Sequence, residues 1–399
     1  MKLRAVSQDS PPYILSTDGD TVYLNRSLEC DSDPLPWRQL LLGIPSACYK
    51  VINAGSGYFL MRSRLDVDEH GQCVYFLLDP LCKDLKKVPT VPSPALEGVF
   101  KPTRYVEAFT PSGKEGVESS TAKLILIERF SVRQVEYRRV ENWRVHCYDA
   151  GTGKLDLVSD VSQPPVRVYR LSNEGRLQEQ VVKARFLKVM NATLVGTSVY
   201  ILARPDHAKE CPHNTLNPES CMNHRYGHFL LKASRNLLQD ESENFLRVAP
   251  FAQLFQHRGS LHLAVGRKIA SRLPFEVHIW KNIMARWTVL SRMPEDLVYE
   301  LCERMTKAEL FRVQIEGEYV CFSRWIDSEV FIFYHLVGDY WKLVKLPDFR
   351  ASESDGEIEK EPVIPGGQTQ QVGYFNGTWY TYTKKKYFRP CLWGPLLSS

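Results

Sequence analysis

Hydrophobic and polar positions fall into a unit that returns along the chain: a turn glycine, six or seven mostly apolar residues, then a basic residue. It reads GYFLMRSR at Gly57–Arg64, GTSVYILAR at Gly196–Arg204, GSLHLAVGR at Gly259–Arg267, GEYVCFSR at Gly317–Arg324 and GTWYTYTK at Gly377–Lys384. A further copy, AKLILIER at Ala122–Arg129, lacks the glycine but keeps the apolar run and the cation. Glycine supplies the positive φ of a tight hairpin, and the β-branched and aromatic run after it predicts a strand. Successive basic ends lie roughly 60 to 75 residues apart, the spacing of a repeat architecture.

A second half follows each unit: a polar loop, a strand, a turn, another strand and a proline. The copies are Val74–Asp79 with Leu85–Pro89, Val145–Asp149 with Leu155–Val158, Val277–Trp280 with Arg286–Val289, and Phe331–Tyr334 with Trp341–Val344. A looser copy runs from His228–Leu231 to Phe245–Val248. Each repeat thus predicts four short strands joined by hairpins. One such sheet cannot bury both its faces, whereas several packed radially can, so the pattern predicts an all-β, six-bladed β-propeller of four-stranded antiparallel blades. Continuous apolar runs such as LILI and FIFY suit strands covered on both sides.

The sixth copy runs out after its second strand. Short strands at Tyr13–Leu15 and Val22–Leu24, flanking the turn at Asp18–Gly19–Asp20, are expected to complete that blade. One helix is predicted, over Pro294–Cys302, with acidic residues in its first turn. The Ser-, Glu- and Pro-rich stretch 347–367 reads as a flexible loop. The domain reading is an N-terminal segment, 1–44, followed by the propeller, 45–395.

Composition adds bounds. At 44% hydrophobic and 24% charged residues the chain is that of a globular protein. A net charge of +5 does not imply nucleic acid, and no apolar run approaches the roughly 18 residues that would imply a membrane span. No secretory signal follows Met1–Arg4, and the ten cysteines are scattered, several inside strand-like runs. These features predict reduced thiols and a cytoplasmic or nuclear protein.

Leu78–Lys83 with Lys87–Pro89, and Trp280–Leu297 with its Trp287–Val289 and Arg292–Glu295, give the repeats a further likeness. In order and content they resemble the F-box-associated, kelch-type propellers of plant F-box proteins, over about residues 45–395. That resemblance implies the substrate-binding component of an SCF-type (cullin) E3 ubiquitin ligase, with the Skp subunit as one partner and a protein target as the other. Family members carry a helical F-box ahead of the propeller. Here only Leu35–Pro45 is similar to one, and segment 1–44 reads either as an F-box remnant or as closing strands. The alternative is a free-standing interaction scaffold without ligase docking.

The chemistry points to binding. In a propeller Arg64, Arg129, Arg204, Arg267, Arg324 and Lys384 would form a ring on one face, with Trp325 beside Arg324 as an aromatic anchor. Converging cations attract an acidic or phosphorylated protein segment. The competing reading has each cation capping its own strand end or pairing with a loop carboxylate such as Asp66, Asp206 or Asp327. The loop Cys211–Pro212–His213 to Cys221–Met222–Asn223–His224 holds zinc-ligand residue types at an atypical spacing, and reads as an exposed loop without metal. Trp143, Trp287, Trp341 and Trp379 are expected between blades. Nucleophile-elbow, HExxH and phosphate-cradling glycine motifs are absent from the sequence, so neither catalysis nor a cofactor is expected.

Overall fold

The computed structural model describes the strands and helices named below, the turns joining them at 150–153, 196–197, 258–259, 284–285, 317–318 and 336–339, and a few flanking residues, all between Tyr13 and Trp393. Described side chains fall within 49–345.

The chain is mostly β-strand, in several antiparallel sheets with little helix. Six sheets among the described residues have four strands. One joins β1 (Tyr13–Asp18), β2 (Thr21–Asn25) and β3 (Arg38–Leu40). Five follow the chain in simple order. The first is β4 (Tyr49–Gly55), β5 (Tyr58–Val67), β6 (Cys73–Asp79) and β7 (Asp84–Lys87). The second is β8 (Thr103–Pro111), β9 (Ala122–Arg133), β10 (Arg139–Asp149) and β11 (Lys154–Ser162). A two-stranded hairpin, β12 (Pro165–Leu171) and β13 (Leu177–Lys183), comes next.

The third is β14 (Leu187–Val195), β15 (Ser198–Pro205), β16 (Phe229–Ser234) and β17 (Leu237–Asp240), with helix α1 (Asn244–Arg247) after it. The fourth is β18 (Ala252–His257), β19 (Ser260–Arg267), β20 (Glu276–Ile283) and β21 (Arg286–Arg292), followed by helix α2 (Glu295–Cys302). The fifth is β22 (Phe311–Glu316), β23 (Tyr319–Arg324), β24 (Val330–His335) and β25 (Tyr340–Lys345). The hairpin β26 (Gly373–Phe375) and β27 (Thr378–Tyr380) precedes β28 (Cys391–Trp393), which pairs with β1.

Side-chain alternation explains why these sheets stack. In β9, Leu124 and Leu126 pack with Leu60 and Leu77 of the preceding sheet, while Ile125 and Ile127 pack with Val189 and Ile201 of the following one. Likewise in β15, Ile201 and Ala203 face back, and Leu202 faces forward onto Leu254 and Leu263. The middle of each of these strands is therefore apolar at successive positions, because both its faces are covered. The first strands of neighbouring sheets lie against one another: β4 on β8, β8 on β14, β14 on β18, and β28 on both β22 and β4. The β18–β21 and β22–β25 sheets share a core of Phe275, Val277, Ile279, Val313, Phe322 and Tyr334.

The turn glycines behave as the pattern requires. Gly196, Gly259 and Gly317 have φ of 61°, 72° and 57°, conformations an L residue adopts only with strain. One hairpin lacks this chemistry. Met284 and Ala285 join β20 to β21 with φ of 49° and 63°, both positive, as a two-residue type I′ turn demands. Met284 is 95% exposed and gains nothing from packing there. Replacing the pair by Asn-Gly is expected to stabilise the protein by about 1–2 kcal/mol, read as a higher urea midpoint; an unchanged or lower midpoint would refute the strain.

Three expectations need correction. The apolar stretch Phe245–Val248 is not the fourth strand of its repeat: β17 takes that place, and residues 244–247 form α1. A four-residue apolar run carries no period that separates strand from helix. Among the described residues β26 pairs only with β27, so the N-terminal strands take β28 (Cys391–Trp393) into their sheet rather than the copy at Gly377–Lys384. Finally, β5 and β9 run on past Arg64 and Arg129, so these two do not end their strands. The loops 211–224 and 347–367, and residues Trp325 and Lys384, lie outside the described residues.

Candidate functional site

In a four-stranded meander the chain enters and leaves at the same end. The start of the first strand, the end of the second, the start of the third and the end of the fourth meet there, and this is called the entry end below. The predicted cations lie toward it. Arg267 and Arg324 are the last residues of β19 and β23, and Arg204 is next to last in β15. Arg204 is half-buried and Arg267 exposed, while Arg64, Arg129 and Arg324 are placed by backbone alone.

Cross-strand register adds residues the repeat pattern did not single out. Lys188 at the start of β14 is the direct partner of Arg204. The same register sets Lys50 opposite Arg62 in β4 and β5. Directly opposed like charges destabilise a sheet by a few tenths to about 1 kcal/mol. In β8 and β9 the opposing residue is instead a carboxylate, Glu128 against Arg104. Among the described residues Arg62, Lys188, Arg204 and Arg267 make no ion pair, whereas Arg144 meets Asp160 at 2.8 Å and Lys345 meets Glu300 at 3.0 Å.

His228 completes the row. The pairing of Ala203 with Phe229, continued by one residue, sets His228 opposite Arg204 on the side away from Lys188. It is 4% exposed, its backbone N–H donates to Leu246 O at 3.0 Å, and its Nδ1 has no hydrogen-bond partner. Burial, and secondarily the Arg204 cation, push the imidazole down to about 4 against a backbone hydrogen bond to Ala249. Across the seam, Arg267 pairs in register with Glu276. The Glu276 carboxylate is engaged by His278 Nε2 at 2.9 Å and Arg292 Nη1 at 3.8 Å.

At the opposite end one pair of neighbouring turns is neutralised. Arg258, in the β18–β19 turn, pairs with Glu318 in the β22–β23 turn of the next sheet. Gly338 N–H donates to His335 Nδ1 at 2.8 Å, which leaves the proton on Nε2, 3.2 Å from Glu318 Oε2. These contacts tie two sheets together.

Trp143 is buried, and the half-buried Trp341 donates from Nε1 to Ser291 Oγ at 3.1 Å, bridging two sheets. Among the described residues no group of three or more His, Cys, Asp or Glu could hold a metal ion, and no helix is long and apolar enough to cross a membrane. The Cys147 thiol is pushed up to about 11, chiefly by burial, which removes its nucleophilic thiolate at neutral pH.

No protein-family model matches the chain, and no curated protein matches it. A solved structure of a Bacteroides fragilis protein, provisionally assigned as a 6-phosphogluconolactonase, is similar over 86% of this chain and 97% of its own. The TM-score is 0.34 and the sequence identity 8%.

Proposed function

We propose that the chain is a six-bladed, kelch-like β-propeller that recognises a protein partner through the entry ends of its sheets. Six four-stranded sheets, first strands lying side by side and a C-terminal strand paired to β1 support the architecture. The observation that carries the binding role is the register that sets Lys188 opposite Arg204 and Lys50 opposite Arg62 toward the entry ends, where Arg62, Lys188, Arg204 and Arg267 form no ion pair among the described residues. An acidic or phosphorylated segment is the matching partner, since it would relieve the opposed charges. The mechanism is capture, with no bond made or broken.

The resemblance in the sequence makes the substrate-binding part of an SCF-type ubiquitin ligase the first context for such capture. A free-standing scaffold is the second. It is favoured by residues 13–18, 21–25 and 38–40, which are strands in a sheet rather than the helices that would dock a Skp subunit. Retention of recombinant Skp subunit by the full chain decides between them.

Capture itself is tested with a labelled oligoglutamate peptide and the double variant Arg62→Glu/Arg267→Glu. The native chain is expected to bind with an affinity that falls as salt rises, and the variant to bind at least about tenfold more weakly. Equal binding by the two would make the cations local strand-end features.

A further inference from the structure

We propose that Lys188, Arg204 and His228 form a subsite for a phosphomonoester dianion in the seam between the β14–β17 and β18–β21 sheets. This rests on the reading of the entry end as the recognition face, and it names the chemical group which that face takes.

The three residues belong to adjacent strands at one level. Lys188 and Arg204 are register partners, and His228 follows on the third strand. Cross-strand partners share a face of the sheet. Arg204 is two residues from Leu202, and His228 two from Leu230; both leucines pack toward Leu254, Leu263 and Val265. The row therefore borders the seam with the next sheet. Val265 lines that seam from the other side, and Arg267, two residues on, shares its face. The seam mouth gathers three cations, Lys188, Arg204 and Arg267. Its one carboxylate among the described residues, Glu276, is already engaged by His278 and Arg292.

Two opposed cations with no carboxylate between them are best matched by one compact group of charge −2. A carboxylate carries a single charge and leaves one cation uncompensated, while a phosphomonoester carries nearly two at neutral pH and three acceptor oxygens. The buried His228 reinforces this match. Its Nδ1 is unpartnered, and burial first, then the Arg204 cation, disfavours its protonation. An anion on Arg204 offsets the second of these, and a His228 that takes up a proton against that anion becomes a third donor.

The experiment is titration calorimetry of the full chain with inorganic phosphate, with chloride at matched ionic strength as the control, and then with a phosphoserine peptide and its unphosphorylated form. The native chain is expected to bind phosphate, and Lys188→Ala to bind it about tenfold more weakly. Lys188 is exposed, so this variant keeps the fold. Its melting temperature in phosphate-free buffer is expected to equal or exceed the native one, because a like-charge pair has been removed. A peptide that binds more tightly than phosphate places the group on a protein partner; equal affinity places it on a small phosphate ester. Phosphate that binds no better than chloride, or equally well to Lys188→Ala, overturns the subsite. Phosphate binding without oligoglutamate capture would sink the wider recognition face and leave the subsite standing.

Discussion

Acidification from pH 7 to about pH 4 is expected to lower the melting temperature steeply, and two histidines are expected to carry much of the loss. His228 is pushed from the ordinary 6.5 to about 4, first by burial and then by Arg204. His262 is likewise pushed to about 4, first by burial, with His257 and Lys281 adding to it against a hydrogen bond to Ser260 O. It stacks on Phe255 at 5.2 Å and is 2% exposed. His257, 5.9 Å from His262, is lowered as well, by burial and the adjacent Arg258.

Between about 6.5 and 4 the unfolded chain protonates these imidazoles and the folded chain does not. The unfolded state binds more protons in that window, so stability falls as pH falls through it, and above about 6.5 the contribution is complete. Each of His228 and His262 accounts for about 3 kcal/mol over the full window, large beside the roughly 5–15 kcal/mol that holds a typical domain. The check is the melting temperature from pH 7.5 down to 5, above the range in which carboxylates titrate, for the native chain and for His228→Gln with His262→Gln. The glutamine variants should show a shallower decline. A native profile that is flat over this range, or variants that keep its full slope, would refute the assignment.

The same residues show what could be read from the sequence and what could not. Hairpin glycines and two-sided apolar strands are local signals, and Gly196, Gly259 and Gly317 sit where the repeat placed them. Helix α2 was legible because Glu295 and Asp296 open an amphipathic run. Short elements escaped. Strand β17 has four residues, and the hairpin β12–β13 falls outside the spacing of the repeat although Pro164–Pro165 and Gly175 mark it. The cation row was half legible. A basic residue after each apolar run recurs in the sequence, but its partner on the strand before depends on register, and register depends on a bulge. A signal did exist: Lys50–Val51–Ile52–Asn53–Ala54 and Lys188–Val189–Met190–Asn191–Ala192 are one motif, and both place lysine opposite arginine. His228 could not have been found that way. Its role comes from burial against α1 and Ala249, elements the repeat does not share.

That motif leads to the largest single-residue effect expected in the fold. In β14 the register shifts between Val189 and Asn191, the mark of a bulge. It turns Asn191 toward β18 of the next sheet, where Nδ2 donates to Leu254 O at 2.9 Å and Oδ1 accepts from Leu254 N–H at 3.1 Å. The two first strands belong to different sheets and share no backbone ladder, so one amide performs the exchange that two backbones perform within a sheet. Leu254 is 1% exposed, and no solvent replaces the amide there. Asn191→Ala leaves both Leu254 groups unsatisfied, and at about 1–3 kcal/mol for each the expected loss is about 2–6 kcal/mol. Asn191→Asp retains the acceptor but aims a carboxylate oxygen at the Leu254 carbonyl, and at neutral pH it should cost at least as much as alanine. Urea unfolding followed by tryptophan fluorescence measures both. A loss below about 0.5 kcal/mol for alanine, or an aspartate variant as stable as the native chain, would show that the bridge contributes nothing and that apolar packing alone holds the two sheets together.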